Sequence, residues 1–282
     1  MIVQTVRTVA ALTLREASRR RVLRAIAIMT IVLLALSAWG FSRLAAEFGS
    51  FTTGESRLAA AQVLNLVMFG LSLIAALGTA FLAGPTLAGE MESGIALAVL
   101  ARPVRRSAVL VGKWLGLVAF GSGFVIMAGL TQFLIVKITV GYWPPNAAGG
   151  LALLAAQTIV LLTLGLLLST VISPMASGIV AVGLFGATWI AGVVGGVGRV
   201  LGNEGVARVG TVSKMILPTD GLWQGAMHEI QDPAVLAMFG RQLAGSPFVS
   251  EAPLAVSYLL WAGVWVALVL ALAALAFQRR DL

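Results

Sequence analysis

Few residues in this sequence are placed to do chemistry. The single histidine, His228, stands beside Glu229, a pair that supplies neither a metal-binding set nor a nucleophile with its base. Cysteine is absent, which excludes disulfides, thiolate metal sites and cysteine nucleophiles. A phosphate loop of the form G-x-x-x-x-G-K-[ST] is also missing: Gly112-Lys113, the only Gly-Lys in the chain, is followed by Trp114. No catalytic, metal or cofactor site is therefore expected in the chain itself. Six of the chain's thirty charges, Glu90, Glu92, Arg102, Arg105, Arg106 and Lys113, are gathered between two long apolar runs. A loop that concentrates charge in this way is suited to meeting a partner.

The elements that must position this loop cross a membrane. The chain has 282 residues, of which 59% are hydrophobic and 11% charged, with a mean hydropathy of +1.00. Soluble domains average about 25% charged residues. A spanning helix needs about 20 apolar residues. Six stretches meet that length: Val22–Phe41, Leu58–Gly84, Trp114–Val136, Gly150–Ile172, Ala176–Gly198 and Leu254–Phe277. Their apolar runs are continuous rather than alternating, so helices are expected, not a barrel. The predicted fold is an all-α integral membrane protein, a single transmembrane domain over residues 1–282.

Charge sets the orientation. Arg7, Arg15, Arg19, Arg20, Arg21 and Arg24 precede or open the first span and should stay in the cytoplasm. Six spans then return the C-terminus to the same side. On that assignment the chain's formal net charge of +8 falls entirely on the cytoplasmic side. This accounts for the basic balance as membrane orientation, so no nucleic acid partner is expected. The first span is expected to be retained, because its basic flank is long for a signal peptide.

Outside the spans, residues 1–21 are expected to form an interfacial amphipathic helix, with Val3, Val6, Ala10, Thr13 and Ala17 on one face. Residues 199–253 form the largest extracytoplasmic segment. There Val206, Val209, Val212 and Met215/Ile216 repeat at helical spacing, and Pro218-Thr219-Asp220-Gly221 signals a turn. Asp220 is expected to cap a second short helix through Met227, and a third is expected over Val235 to Leu243. None of the six span cores contains Asp, Glu, Lys, Arg or His, which disfavours a carrier that binds its coupling ion at membrane depth. Gln62, Asn65, Gln132 and Gln157 are expected to hydrogen-bond between helices. Gly192, Gly195 and Gly196 suit close packing, within the chain or at a dimer or gate contact.

The charged loop, residues 85–113, reads as helix, break, helix. Glu90 and Glu92 stand where a helix N-terminus favours carboxylates. Met91, Ile95, Ala98 and Val99 make one apolar face. Arg102 precedes Pro103, which should end that helix, and Ser107 is placed to cap the next.

These residues resemble the first cytoplasmic loop of type-2 ABC transporter permeases. The matching run is Glu90-x-Glu92-Ser93-Gly94, then Leu100-Ala101-Arg102-Pro103-Val104-Arg105-Arg106, then Gly112-Lys113. Ile95 stands where the family usually has Thr, and Arg105 where it usually has Ser. The order of the remaining parts also fits: a basic interfacial helix, six spans, a long outer segment before the last span and a terminal Phe277-Gln278-Arg279-Arg280-Asp281-Leu282. The resemblance implies a permease subunit of an ABC exporter in a bacterial plasma (inner) membrane, with both termini cytoplasmic. It implies pairing with a second permease copy or a sister permease, and a separate ABC ATP-binding subunit that holds ATP and magnesium. It also implies that Met91 to Ala101 is the coupling helix, with Glu90, Glu92, Ser93, Gly94, Ile95, Ala98, Arg102, Pro103, Arg105 and Arg106 at the ATPase-docking surface. The outer helices would help gate the exit side. A gradient-driven carrier and a non-transporting membrane scaffold are the competing readings.

Overall fold

A computed structural model describes residues 2–48, 54–92, 105–233, 237, 248–250 and 252–279. Every regular element among the described residues is an α-helix. In chain order these are α1 (Ile2–Ala17), α2 (Arg21–Phe48), α3 (Gly54–Glu92), α4 (Arg106–Val140), α5 (Ala147–Val171), α6 (Pro174–Val200), α7 (Glu204–Ile216), α8 (Thr219–Ile230) and α9 (Val256–Arg279). Six of them, α2 to α6 and α9, are long and apolar enough to cross a membrane. The expected third outer helix and most of the charged loop lie outside the described residues.

Helices α3 and α5 form the centre, and α2 and α9 present mostly exposed apolar faces, as lipid-facing helices do. Polar side chains fasten the centre. Ser72 of α3 donates to Gln157 of α5 at 3.0 Å, Gln132 of α4 donates to Ser37 of α2 at 2.8 Å, and Asn65 donates to the Phe248 carbonyl at 2.7 Å. In a medium without water such bonds satisfy groups that would otherwise be costly. Gln62, by contrast, is exposed.

Helix α1 docks along α4. A Cβ on Gly112 would lie 2.7 Å from Val9 Cβ, and one on Gly116 would lie 2.7 Å from the Ala10 carbonyl oxygen. The two glycines thus form the groove that receives α1. The Val6, Ala10, Thr13 and Ala17 side of the expected apolar face turns toward α4, while Val3 is exposed.

The second span is longer than its apolar run suggests. Its helix continues past Gly84 and through Pro85 to Glu92. Proline removes one backbone donor, which ordinarily breaks a helix, but membrane helices tolerate it where neighbours re-satisfy the backbone. Gly84 has a packing role here: a Cβ on it would lie 2.5 Å from the Pro174 carbonyl oxygen. The short turn between α5 and α6 therefore seats directly on α3.

The outer segment folds back into the bundle. Gly198 of α6 lies against Ala207 of α7, Gly195 against Gly210, and Ser213 donates to the Thr188 carbonyl at 3.4 Å. Helix α7 thus runs antiparallel to α6 over ten residues, about 15 Å. That is about half of a 30 Å hydrocarbon core. Helix α8 then returns outward along α5, from a cluster of Leu222 with Val160 and Leu164 to Ile230 beside Gly150. The expected apolar stripe of α7 does not pack inward: Val209, Val212, Met215 and Ile216 are exposed. The small residues on the opposite face make the contact.

Helix α7 ends beside the middle of α6, and its last carbonyls have no partners within the helix. Helix α9 supplies donors for them from one face. Tyr258 Oη donates to the Lys214 carbonyl at 3.0 Å, Trp261 Nε1 to Met215 at 3.2 Å and Trp265 Nε1 to Ile216 at 2.8 Å. The spacing i, i+3, i+7 places all three side chains on one helical stripe. Trp265→Phe keeps the ring and removes the donor. Loss of about 1–3 kcal/mol of stability is expected, measured by thermal unfolding in detergent, with Trp189→Phe as a comparison.

Candidate functional site

Two regions bear on function: the stems of the charged loop and a polar cavity around the re-entrant hairpin.

At the loop, Ser93, Gly94, Ile95, Ala98, Arg102 and Pro103 lie outside the described residues. The backbone places Glu90 and Glu92 in the last turn of α3, a helix that began at Gly54. They therefore do not open a new helix, as the sequence suggested, because α3 does not stop at Gly84-Pro85. Ser107 is not a cap either. Helix α4 starts at Arg106, and its N-cap residue, Arg105, is extended and makes no side-chain capping bond.

The two adjacent arginines differ. Arg105 is exposed. Arg106 reaches across to the end of α9, where its Nη1 donates to the carbonyls of Phe277 at 3.4 Å and Gln278 at 3.3 Å. A cation at a helix C-terminus satisfies free carbonyls and suits the helix dipole. Lys113 is buried, and its Nζ donates to the Thr86 carbonyl of α3 at 2.8 Å. These contacts tie the stems of the loop, α3 and α4, to each other and α4 to α9. The Gly-Lys pair thus has a structural account: Gly112 admits α1 and Lys113 holds α3.

The second region lies between α6, α7, α8 and the start of α9. Lys214 Nζ stands 3.6 Å from Asp220 Oδ2, and both side chains are largely buried. Gln224 bridges them, donating to Asp220 Oδ2 at 3.1 Å and accepting from Lys214 through Oε1. Asp220 falls in the first turn of α8. Its expected capping role is not seen: Pro218 is the N-cap residue, without a side-chain bond, and the carboxylate turns to Lys214 instead. Neither partner belongs to a spanning helix. Burial raises the Asp220 carboxyl to about 6, against the opposing pull of Lys214. Burial lowers the Lys214 ammonium, partly offset by Asp220.

The three glycines of α6 are occupied by this hairpin. A Cβ on Gly192 would meet the Asp220 carboxylate, and one on Gly195 would lie 2.6 Å from Gly210 Cα. Gly196 is buried and lines the cavity beside the pair, which measures about 640 Å³. Arg199, Ser250 and Tyr258 also line it. His228 Nδ1 donates to the Ser250 carbonyl at 3.1 Å, while Glu229 accepts from Asn146 at 2.6 Å. The adjacent His–Glu pair is thus split between two structural bonds. Among the described residues there is no cluster of three or more metal-ligating side chains.

The six span cores hold no ionisable group in the sequence, and the hairpin brings Lys214 and Asp220, from outside the spans, against α6. The available signal was indirect: the Tyr258, Trp261 and Trp265 stripe, which implies carbonyls to be satisfied beside the last span.

The search of curated proteins finds no match. The sequence matches the family described as ABC-2 family transporter protein over residues 9–282. With six helices long and apolar enough to cross a membrane and a match over nearly its whole length, this chain belongs to the ABC-2 transporter family.

Proposed function

We propose that the chain is the permease subunit of an ATP-driven exporter, moved by separate ATP-binding subunits that dock on the cytoplasmic loop between α3 and α4. Membership of the ABC-2 family carries this reading, and the lack of a phosphate loop in the sequence agrees with an external source of energy. The fastening of the loop stems supports it mechanically. With Lys113 bonded to Thr86, and Arg106 to the end of α9, force applied to the loop would shift α3, α4 and α9 together rather than bend one stem. Two discrete arrangements of such packed helices are what a transport cycle requires.

The reading includes a second permease copy or a sister permease, and ATP and magnesium on the partner ATPase. It places the protein in a bacterial plasma (inner) membrane with both termini cytoplasmic. The basic excess on that side supports the orientation.

Arg105 and Arg106 have different roles in this scheme, and co-purification with a tagged ABC ATP-binding subunit tests it. Arg105→Glu should reduce capture roughly tenfold or more, because a reversed charge now faces the partner. Arg106→Gln should leave capture near wild type and lower thermal stability by about 1 kcal/mol, through loss of bonds to the α9 carbonyls. Wild-type capture by Arg105→Glu would contradict the assigned docking surface.

A further inference from the structure

The cavity beside Lys214 and Asp220 has no part in the docking scheme, yet it is built like a binding site. Its volume of about 640 Å³ falls within the roughly 300–1,000 Å³ of small-molecule pockets. Its lining has two chemistries. Arg199, Lys214, Asp220, Gln224 and Tyr258 supply polar groups, while Val193, Val200, Pro253 and Leu254 supply an apolar wall. A buried ion pair placed only for stability would be closed over by packed side chains. This one borders open space.

Charge indicates what the space accepts. Asp220 is already engaged by Lys214 and Gln224. Arg199 stands exposed near the outer end of α6, and its guanidinium makes no hydrogen bond or ion pair among the described residues, although its charge reaches both Lys214 and Asp220. The charged side chains described in the lining are thus two cations and one carboxylate. A guanidinium fork with free donors favours an oxyanion, which can accept two parallel bonds. The apolar face of α7 and Val256 and Leu260 of α9 are exposed, a surface that suits contact with hydrocarbon.

We propose that this cavity binds the anionic head of an amphiphile, a phosphate or carboxylate, between Arg199 and Lys214, with the hydrocarbon part along Val193, Val200 and Leu254. The head replaces water beside Arg199 and takes the one Lys214 donor not directed to Asp220 or Gln224. The binding needs no ATP-binding subunit, so its failure and that of the docking scheme are separable.

The test uses the full chain in nanodiscs of phosphatidylcholine with a minor share of phosphatidylglycerol, with retained lipids counted by native mass spectrometry. Wild type should retain phosphatidylglycerol in preference to phosphatidylcholine. Arg199→Ala should weaken that retention roughly tenfold, and Arg199→Lys should keep part of it. Ala252→Trp, on an exposed lining residue, should reduce retention by filling the cavity without removing a charge. Arg208→Ala is the comparison, because Arg208 pairs with Glu204 and is not among the lining residues. Added inorganic phosphate identifies the source of the head: competition points to a free anion, and its absence to a lipid held also by its chains. Retention unchanged in Arg199→Ala, or reduced equally in Arg208→Ala, would overturn the proposal.

Discussion

Lys214→Met should destabilise the protein by about 3–5 kcal/mol, more than the double change Lys214→Met/Asp220→Asn. The single substitution leaves the Asp220 carboxylate buried, 3% exposed in the native pair, with Gln224 as its remaining hydrogen-bond donor among the partners described. The double substitution removes both charges and keeps the approximate shape. Thermal unfolding in detergent measures both, and the difference between them reports the cost of the stranded charge. The pH response has a definite sign. Asp220 already has a raised pKa, about 6, in the folded protein, and loss of Lys214 removes a contribution that lowers it. A folded carboxyl with a raised pKa binds more protons than the unfolded chain. Its stabilising effect is fully present below the unfolded value, near 3.8, and is lost as pH rises through the folded value. Lys214→Met should therefore regain stability as pH falls from 8 to 5, and Lys214→Met/Asp220→Asn should not. Equal losses in the two variants, with flat pH responses, would show that the pair is not electrostatically coupled.

The second large effect concerns α6 and α7. Gly195→Ala would place a Cβ 2.6 Å from Gly210 Cα, and Gly198→Ala would place one 2.5 Å from the Ala207 backbone nitrogen. Backbone cannot rotate away as a long side chain can, so the helices must separate. Each change should cost about 1–3 kcal/mol, and the pair should release α7 from α6, read as new protease cleavage between residues 199 and 218. Gly183 and Gly186 on the same helix provide the comparison, because a Cβ there meets nothing within 4 Å. Alanine at either should be neutral or stabilise by about 0.5–1 kcal/mol, since glycine weakens a helix interior. Equal loss at Gly183 and Gly195 would show that helix propensity, not close approach, governs the result.

These two cases mark where the sequence was informative. The spans were legible because a continuous apolar run of sufficient length has few other uses. Gln132 and Gln157 were legible as interhelical donors or acceptors for the same reason: a polar group at membrane depth must find a partner; Asn65 finds its partner outside the helices, at the Phe248 carbonyl. The end of α3 was not. Gly84-Pro85 signals a stop in isolation, but the α5–α6 turn packs on Gly84 and the helix continues. The hairpin was half legible. The helical repeat from Val206 to Ile216 was correct in period, yet its apolar side is exposed, because in a membrane the buried face is the one that packs most closely rather than the most apolar one. Asn203 was missed as the cap of α7, where its side chain accepts from the Val206 nitrogen. The Lys214–Asp220 pair was invisible because its partners belong to two helices that meet only after the chain turns at Pro218. Pairing across such a turn leaves no periodic trace. The charged loop reads from its composition as a partner surface, but composition does not separate exposed Arg105 from Arg106, whose bonds depend on where α9 ends.

In the proposed transport scheme, force enters through the loop between α3 and α4. The most direct measurement of this is ATP hydrolysis and substrate movement together, in liposomes containing this chain and its ABC ATP-binding subunit. Ala98→Pro should leave the complex assembled and ATP hydrolysis present while reducing transport per ATP roughly tenfold, because proline interrupts the expected coupling helix. Transport per ATP equal to wild type in that variant would contradict the claim.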